Sequence, residues 1–216
     1  GQVEAFAAAG VTRASLGVQT LAPEVQTAVN RIQPPDMVAR LVDDLRSAGV
    51  KAINMDLMYG LPHQTVDDVV TAARFAAERG AARVSVFGYA HVPWFAKHQK
   101  AIDADALPGL EARFEQAEAA TEVLRAAGYE LIGLDHFARA DDPLTLAARE
   151  GRLRRNFQGY TDDPHETLIG MGATSISQFR EGFVQNLKDR KAWGEAVAAG
   201  RLPVERGIAI TEDDRL

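Results

Sequence analysis

The strongest constraint on the fold is an alternation of strand-like and helix-like segments in the first ninety residues. Three apolar segments predict strands: residues 11–19, 51–58 and 83–90. The intervening stretches, 36–48 and 66–79, have apolar residues at helical spacing and predict helices. Parallel strands need crossover connections, usually helices, so this order predicts an α/β fold with a parallel sheet.

The second half of the chain has a less regular pattern. It predicts further helices and strands, and an irregular segment at 152–161. The helices are at 110–127, 142–150 and 187–199, and the strands at 129–134 and 168–179. The charged end of the chain is expected to begin another helix.

Composition excludes several classes of function. A formal net charge of −6 gives no electrostatic reason to bind nucleic acid. No apolar run reaches the ~20 residues of a membrane span, and no signal-peptide pattern is present, so we expect a soluble, cytoplasmic protein. The absence of cysteine excludes thiolate metal ligands and disulfides within this chain. Because the sequence begins with Gly1 and not with methionine, we expect a fragment.

Polar residues follow each predicted strand, where ligands of parallel α/β folds bind. They are Gln19, Asp56, Tyr59, Tyr89, His91, Asp135 and His136. Asp56 lies inside an apolar run, and a buried carboxylate is costly unless it is paired or bound. It therefore either pairs with an arginine, such as Arg13 or Arg31, or binds a ligand. Gln19 either satisfies loop backbone groups or binds a ligand.

A hydrolytic metal centre is an alternative use of these residues. Asp56, His91, Asp135 and His136 are of the right chemical types, but no His-x-His or His-Glu-x-x-His run supports it. We therefore predict no metal ligands in this chain, and expect His91 and His136 to be core histidines hydrogen-bonded to backbone groups. Nucleotide-binding glycine motifs and a Gly-x-Ser-x-Gly elbow are also absent.

Several strings together resemble those of one family. They are Gly-Val-Gln at 17–19, Val-Asn-Arg-Ile-Gln at 29–33, Asn-Met-Asp-Leu-Met-Tyr-Gly-Leu-Pro at 54–62, Ser-Val-Phe-Gly-Tyr-Ala-His-Val-Pro at 85–93, Asp-His-Phe-Ala at 135–138, Arg-Asn-Phe-Gln-Gly-Tyr-Thr at 155–161 and Gly-Met-Gly at 170–172. They resemble the oxygen-independent coproporphyrinogen III oxidases, which are radical S-adenosylmethionine (radical SAM) enzymes. The strings at 135–138 and 155–161 favour the oxidases over the alternative, haem-binding chaperones of the same superfamily.

The resemblance implies a partial radical-SAM-type (β/α)6 barrel with parallel strands, incomplete at its N-terminal side. Residues 1–205 would be the C-terminal portion of the barrel with a family-specific extension. Residues 206–216 would start a C-terminal helical domain. The family's [4Fe–4S] cluster needs a cysteine motif that this chain lacks, so the fragment alone is expected to be inactive.

The resemblance also implies a reaction and a set of site residues. The reaction is the oxidative decarboxylation of two propionates of coproporphyrinogen III to give protoporphyrinogen IX in haem biosynthesis; the electron donor is not identified. The implied residues are Gln19, Arg31 and Asp56 for one S-adenosylmethionine, Ala90 and Ile176 for the S-adenosylmethionine that ligates the cluster, and Phe157 and Gln158 as catalytic residues near the reacting centre.

Overall fold

A computed structural model describes residues 1–215 and divides the chain into two compact units, Gly1–Glu150 and Gly151–Leu216. The first unit contains a five-stranded sheet with the order β1-β2-β3-β5-β4. Its strands are β1 (Arg13–Gln19), β2 (Ala52–Tyr59), β3 (Arg83–Gly88), β4 (Tyr129–Leu131) and β5 (His136–Arg139). The predicted α/β class is confirmed.

The helices of the first unit lie before, between and after these strands. They are α1 (Gln2–Ala8), α2 (Pro23–Ala28), α3 (Pro35–Ser47), α4 (Val66–Glu78), α5 (Leu110–Ala126) and α6 (Pro143–Arg149), with short 3-10 helices at Lys97–Ala101 and Ala104–Ala106. The start of α4 is fixed by a capping box, in which the Thr65 hydroxyl accepts the Asp68 N–H and the Asp68 carboxylate accepts the Thr65 N–H. The sequence pattern did not predict α2, which begins with proline at its first position and is only six residues long.

The sheet is mixed, because only its first three strands are parallel. β1 pairs with β2, and β2 with β3, in the predicted parallel sense. The parallel sheet predicted from the first half of the chain is confirmed for β1, β2 and β3, whereas β5 is antiparallel to β3 and β4 is antiparallel to β5. The physical reason is the short connection at 132–135, which cannot hold a crossover helix and makes a hairpin instead. The strand predicted at 129–134 ends at Leu131, and His136 opens β5.

Alternating burial along β2 places the core on one face of the sheet. Ile53, Met55 and Leu57 are buried against a cluster that includes Val42 of α3 and Val69 of α4. Burying each such large side chain contributes about 1.5–3 kcal/mol. The opposite face of β2 carries partly exposed polar residues and is free to hold a site.

The second unit is mostly β. Its elements are β6 (Arg154–Asn156), β7 (Gly159–Thr161), β8 (Ile176–Phe179), β9 (Gly182–Asn186), α7 (Arg190–Ala198), β10 (Val204–Ala209) and a 3-10 turn at Asp213–Arg215. β6 and β7 form a hairpin, and β10, β9 and β8 form an antiparallel sheet. The prediction of irregular structure at 152–161 is therefore wrong. The polar residues of this segment do not show the alternation typical of a strand, but a two-residue turn joins β6 and β7 into a hairpin.

The close approach of β9 and β10 depends on Gly182. This residue has a φ of 154°, and a Cβ added to it would lie 2.0 Å from the carbonyl oxygen of Ile208. Residues 206–209, where a C-terminal helical domain was predicted to start, are part of β10. Leu216, the end of that predicted domain, lies outside the described residues, and the division at residue 205 stays a prediction. Among residues 1–215, no helix is both long enough and apolar enough to cross a membrane.

Candidate functional site

A row of four cross-strand neighbours runs across the sheet, on the face opposite to the buried Ile53. Gly17 pairs with Asp56, Asp56 with Ser85, and Ser85 with His136. Neighbouring strands lie roughly 4.8 Å apart, so this row is about 14 Å long. The parallel register of β1, β2 and β3 therefore brings residues from distant parts of the sequence together into one polar strip.

Asp56 is held by two neighbouring polar side chains. The Ser15 hydroxyl donates to its Oδ2 at 2.9 Å, and the Asn54 amide donates to its Oδ1 at 2.7 Å. Among the described residues Asp56 pairs with neither arginine considered from the sequence, and Arg13 lies 3.7 Å from Asp142 instead. An ionised carboxylate accepts about four hydrogen bonds, so Asp56 keeps acceptor capacity for a ligand.

Gln19 ends β1 in an unusual conformation. Its φ is +63°, in the left-handed region, and the ladder between β1 and β2 shifts register at this point. Its side-chain Oε1 is buried and has no hydrogen-bond partner among the described residues. Its side chain makes no bond to the loop backbone there either, which removes support for the loop-satisfying interpretation. A buried acceptor of this kind costs about 1–3 kcal/mol and is stabilised by a ligand that donates to it.

Arg31 lies beside Gln19 because residue 17 has no side chain. The guanidinium donates through Nη2 to the Gly17 carbonyl at 2.8 Å and through Nε to Gln33 Oε1 at 2.8 Å. A Cβ on Gly17 would lie 2.9 Å from Gln19 Nε2 and 3.1 Å from Arg31 Nη2. Arg31 forms no ion pair in the described part of the chain, so its remaining N–H groups can donate to a ligand carboxylate.

Buried Gln26, which the sequence pattern did not single out, positions the segment that carries Arg31. Its Nε2 donates to the carbonyls of Thr20 and Gln33, both at 2.8 Å, and its Oε1 accepts the Gln33 N–H at 3.0 Å. The side chain thus ties the loop after β1 to residue 33. No sequence signal marks it, because α2 was not predicted and one glutamine in a short polar stretch looks like a surface residue.

Two further buried glutamines, Gln64 and Gln116, hold the loop after β2. Gln64 accepts the Leu61 N–H at 3.0 Å and donates to the Met58 carbonyl at 2.8 Å. Gln116 accepts the Gly60 N–H at 2.9 Å and donates to the Gln64 carbonyl at 2.7 Å. The backbone at the end of β2 is therefore held by Gln64, which follows it in the chain, and by Gln116 of α5.

The segment after β3 is fixed at Ala90 by Gln99. The Gln99 amide donates to the Ala90 carbonyl at 3.0 Å, and its Oε1 accepts the Val92 N–H at 2.6 Å. Ala90 itself is exposed. The hydroxyl of the preceding residue, Tyr89, lies 3.1 Å from His91 Nδ1. Burial raises the pKa of this hydroxyl.

His136 closes the strip on the β5 side. Its Nδ1 lies 2.5 Å from Asp135 Oδ1, and its ring meets the ring of Phe87 edge-on at 5.7 Å between centroids. His136 and His91 thus have different partners. Across residues 1–215 there is no group of three or more His, Cys, Asp or Glu side chains arranged to hold a metal ion.

The remaining predicted site residues belong to the second unit. Phe157 and Gln158 form the tip of the β6–β7 hairpin, and Asn156 Oδ1 accepts the Gln158 N–H at 2.9 Å. Ile176 starts β8, where Gly170 approaches its backbone so closely that a Cβ would lie 2.6 Å from the Ile176 carbonyl oxygen. The roles predicted for these residues stay predictions.

Comparisons with known proteins show which proteins the chain resembles. Residues 1–76 match the model of the radical SAM superfamily. The oxygen-independent coproporphyrinogen III oxidase of Bradyrhizobium diazoefficiens is 51% identical over 214 residues, which are 99% of this chain and 48% of that protein. The predicted resemblance to the oxygen-independent coproporphyrinogen III oxidases is confirmed over the length of this chain.

Two further relatives agree with this placement. An oxygen-independent coproporphyrinogen III oxidase of Helicobacter pylori is 44% identical over 96% of this chain and 45% of its own length. The solved coproporphyrinogen III oxidase of Escherichia coli, described as a radical SAM enzyme, superposes with a TM-score of 0.92 at 39% identity, covering 99% of this chain and 49% of that one. The predicted partial barrel is consistent with this likeness. The chain spans about half the length of the relatives it matches.

Radical SAM proteins in general use S-adenosylmethionine and a [4Fe–4S] cluster. This chain contains no cysteine and so supplies no thiolate to such a cluster. The first unit does fit S-adenosylmethionine: the orphaned Oε1 of Gln19 suits an ammonium or hydroxyl donor, and the unpaired Arg31 suits a carboxylate.

Proposed function

We propose that this chain is a segment of an oxygen-independent coproporphyrinogen III oxidase. The enzyme would convert two propionates of coproporphyrinogen III to vinyl groups and yield protoporphyrinogen IX. Each propionate would lose carbon dioxide, one hydrogen atom taken up by the radical derived from S-adenosylmethionine, and one electron passed to an electron acceptor. The observation that carries the proposal is 51% identity to one such oxidase over 99% of the chain. We keep the cytoplasm as the proposed location, since thiols stay reduced there and can ligate a cluster.

In this proposal Gln19, Arg31 and Asp56 hold one S-adenosylmethionine along the polar strip. Arg31 pairs with the carboxylate of the methionyl group, and Gln19 Oε1 accepts from its ammonium group or from a hydroxyl. Asp56, held by Ser15 and Asn54, accepts from ribose hydroxyls or the ammonium. When bound, S-adenosylmethionine and a reduced cluster supply the one-electron chemistry that starts the reaction.

The other proposed residues bind the second cofactor molecule and the substrate. Ala90 and Ile176 contact the S-adenosylmethionine that ligates the cluster, and the Gln99 clamp keeps the Ala90 backbone in place. Phe157 and Gln158, at an exposed hairpin tip, contact the porphyrinogen near its reacting propionate. Bound substrate would bury the Phe157 ring and exclude water from that region.

An exchange of sequence tests this function. Residues 1–216 replace the matching half of the Bradyrhizobium oxidase, and the resulting chimera is reconstituted without oxygen. With S-adenosylmethionine and a reductant it should form protoporphyrinogen IX from coproporphyrinogen III. Arg31→Ala should remove most of this turnover, whereas Arg40→Ala, an exposed arginine of α3, should not.

An inactive chimera with an intact cluster refutes the proposal. Tight stoichiometric haem binding without turnover favours a haem chaperone instead. Equal loss of activity in the Arg31 and Arg40 variants would show that removal of positive charge, and not a specific contact, causes the effect.

A further inference from the structure

The second unit contains a cavity of about 580 Å³ beside the β6–β7 hairpin. Two residues of its lining also hold the hairpin tip. Asn156 Oδ1 accepts the N–H groups of Gln158 at 2.9 Å and Gly159 at 3.2 Å, and Gln178 Oε1 accepts the Phe157 N–H at 3.3 Å. The cavity is therefore adjacent to the tip that carries Phe157 and Gln158.

Two arginines of β6 line this cavity without a carboxylate partner in the described structure. Arg154 donates from Nη1 to the Pro164 carbonyl at 3.3 Å, which leaves most of its five N–H donors free. Arg155 lies over the ring of Tyr160, with its guanidinium carbon 5.5 Å from the ring centroid. Stacking on an aromatic face fixes the plane of a guanidinium and leaves its edge N–H groups available.

Two of the three carboxylates of the lining accept hydrogen bonds within their own turns. Asp163 accepts the His165 backbone N–H at 2.9 Å, and this bond lowers the pKa of Asp163. Asp214 accepts the Thr211 N–H and hydroxyl at 2.8 and 2.7 Å, and its pKa is lowered by the same kind of bond. Both stay ionised at neutral pH.

The lining as a whole is mixed in charge, since Glu166 and Arg180 also contribute to it. Three carboxylates would repel a multiply charged anion such as a polyphosphate. A single carboxylate is repelled less than a multiply charged anion, and arginine side chains such as those of β6 bind a carboxylate with paired hydrogen bonds. The cavity therefore favours a monovalent carboxylate on a larger molecule.

We propose that Arg154 and Arg155 bind a propionate carboxylate of the porphyrinogen and so anchor the substrate beside the hairpin tip. This inference rests on the proposed function and deepens it. Coproporphyrinogen III has four propionates, of which two react, so a non-reacting one is available as an anchor. Removing the anchor should weaken substrate binding more than it slows turnover at saturation.

Binding of coproporphyrin III to the 216-residue chain tests the anchor directly. The oxidised porphyrin is followed by fluorescence, and its uncharged tetraamide serves as the matched probe without carboxylates. The double variant Arg154→Gln/Arg155→Gln should bind coproporphyrin III on the order of tenfold more weakly than wild type. Binding of the tetraamide should be weak and equal in both.

The control is Arg190→Gln/Arg201→Gln, which removes the same charge from the same unit but outside the cavity. It should bind coproporphyrin III like the wild type. A circular dichroism spectrum confirms that each variant is folded, and Arg154→Lys/Arg155→Lys, which keeps the charge, should recover only part of the affinity. Equal affinity of the glutamine variant and the wild type for coproporphyrin III overturns the inference. Wild-type binding of the tetraamide as tight as that of coproporphyrin III overturns it too.

Activity of the chimera separates this inference from the proposed function. The glutamine variant should raise the KM for coproporphyrinogen III and leave the KM for S-adenosylmethionine unchanged. An active chimera with an unchanged substrate KM refutes the anchor and leaves the oxidase assignment intact. An inactive chimera whose inserted chain still binds coproporphyrin III through these arginines refutes the oxidase assignment and leaves the carboxylate site in place.

Discussion

Replacing Gly17 with alanine should weaken S-adenosylmethionine binding without destabilising the fold. The new Cβ would lie 2.9 Å from Gln19 Nε2 and 3.1 Å from Arg31 Nη2, so both groups must withdraw by several tenths of an ångström. Both are ends of flexible side chains, and the backbone of Gly17 needs no left-handed conformation. The free energy of unfolding should therefore change by less than about 1 kcal/mol.

The loss of affinity follows from the displaced contacts. A hydrogen bond to a charged group contributes about 1.5–3 kcal/mol, so moving Arg31 out of line with a ligand carboxylate should raise the Kd about 10- to 150-fold. Withdrawal of Gln19 would add to this. Isothermal titration calorimetry of the reconstituted chimera with S-adenosylmethionine gives the Kd, and urea unfolding of the chain gives its stability.

The matched control is Gly194→Ala in α7, where nothing lies within 4 Å of the added carbon. It should leave the Kd unchanged and stabilise the helix slightly, because alanine is the better helix former. If Gly17→Ala binds S-adenosylmethionine as tightly as wild type, then Gln19 and Arg31 do not act together over residue 17. If stability falls in parallel with affinity, strand packing is the cause and the site argument fails.

Three further substitutions probe the supports of the site. Asn54→Ala removes the 2.7 Å bond to Asp56 and should raise the Kd for S-adenosylmethionine in the chimera by roughly three- to tenfold, with no change if Asp56 is not a ligand. Gln26→Leu removes the hydrogen-bond partner of the Thr20 carbonyl and of the Gln33 backbone groups. It should lower the free energy of unfolding of the chain in urea by about 2–4 kcal/mol, and a decrease below about 0.5 kcal/mol would show that these hydrogen bonds do not stabilise the loop. Tyr129→Phe removes the 2.6 Å bond to the Ala81 carbonyl and should cost about 1–2 kcal/mol at neutral pH. Burial raises the pKa of Tyr129, so wild-type stability from this group is complete below the ordinary tyrosine pKa and declines as pH rises through the raised value. The phenylalanine variant should lack that part of the alkaline decline, and identical slopes would refute the assignment.

The alternation of strands and helices in the first half of the chain could be predicted because these elements have strong periodic patterns of apolar residues. α3 and α4 bury apolar residues at helical spacing, and Thr65 with Asp68 forms a cap that a sequence displays directly. Because these patterns locate the strands, Gln19 and Asp56 could be predicted as site candidates: the ends of parallel strands meet at one edge of the sheet.

What could not be read depends on pairing between distant segments. Whether β5 runs parallel or antiparallel is decided by the length of a turn, and the sequence 129–139 has no residue that marks it. The hydrogen bonds of Gln26 and Gln116 join residues up to 56 positions apart, and glutamine alone carries no sign of such a partner. The arginines of β6 looked like part of an irregular polar segment until the hairpin placed them on a cavity wall.

Gly182 bears on how mutational data for this chain should be read. Any side chain there would collide with the Ile208 carbonyl and push β9 away from β10, so a scan of all substitutions should show that only glycine is tolerated at this position. Intolerance of that kind is usually taken as the mark of a catalytic residue. Here it would report the spacing of two backbones, and a functional map drawn from fitness scores alone would place a false active-site residue in the second unit.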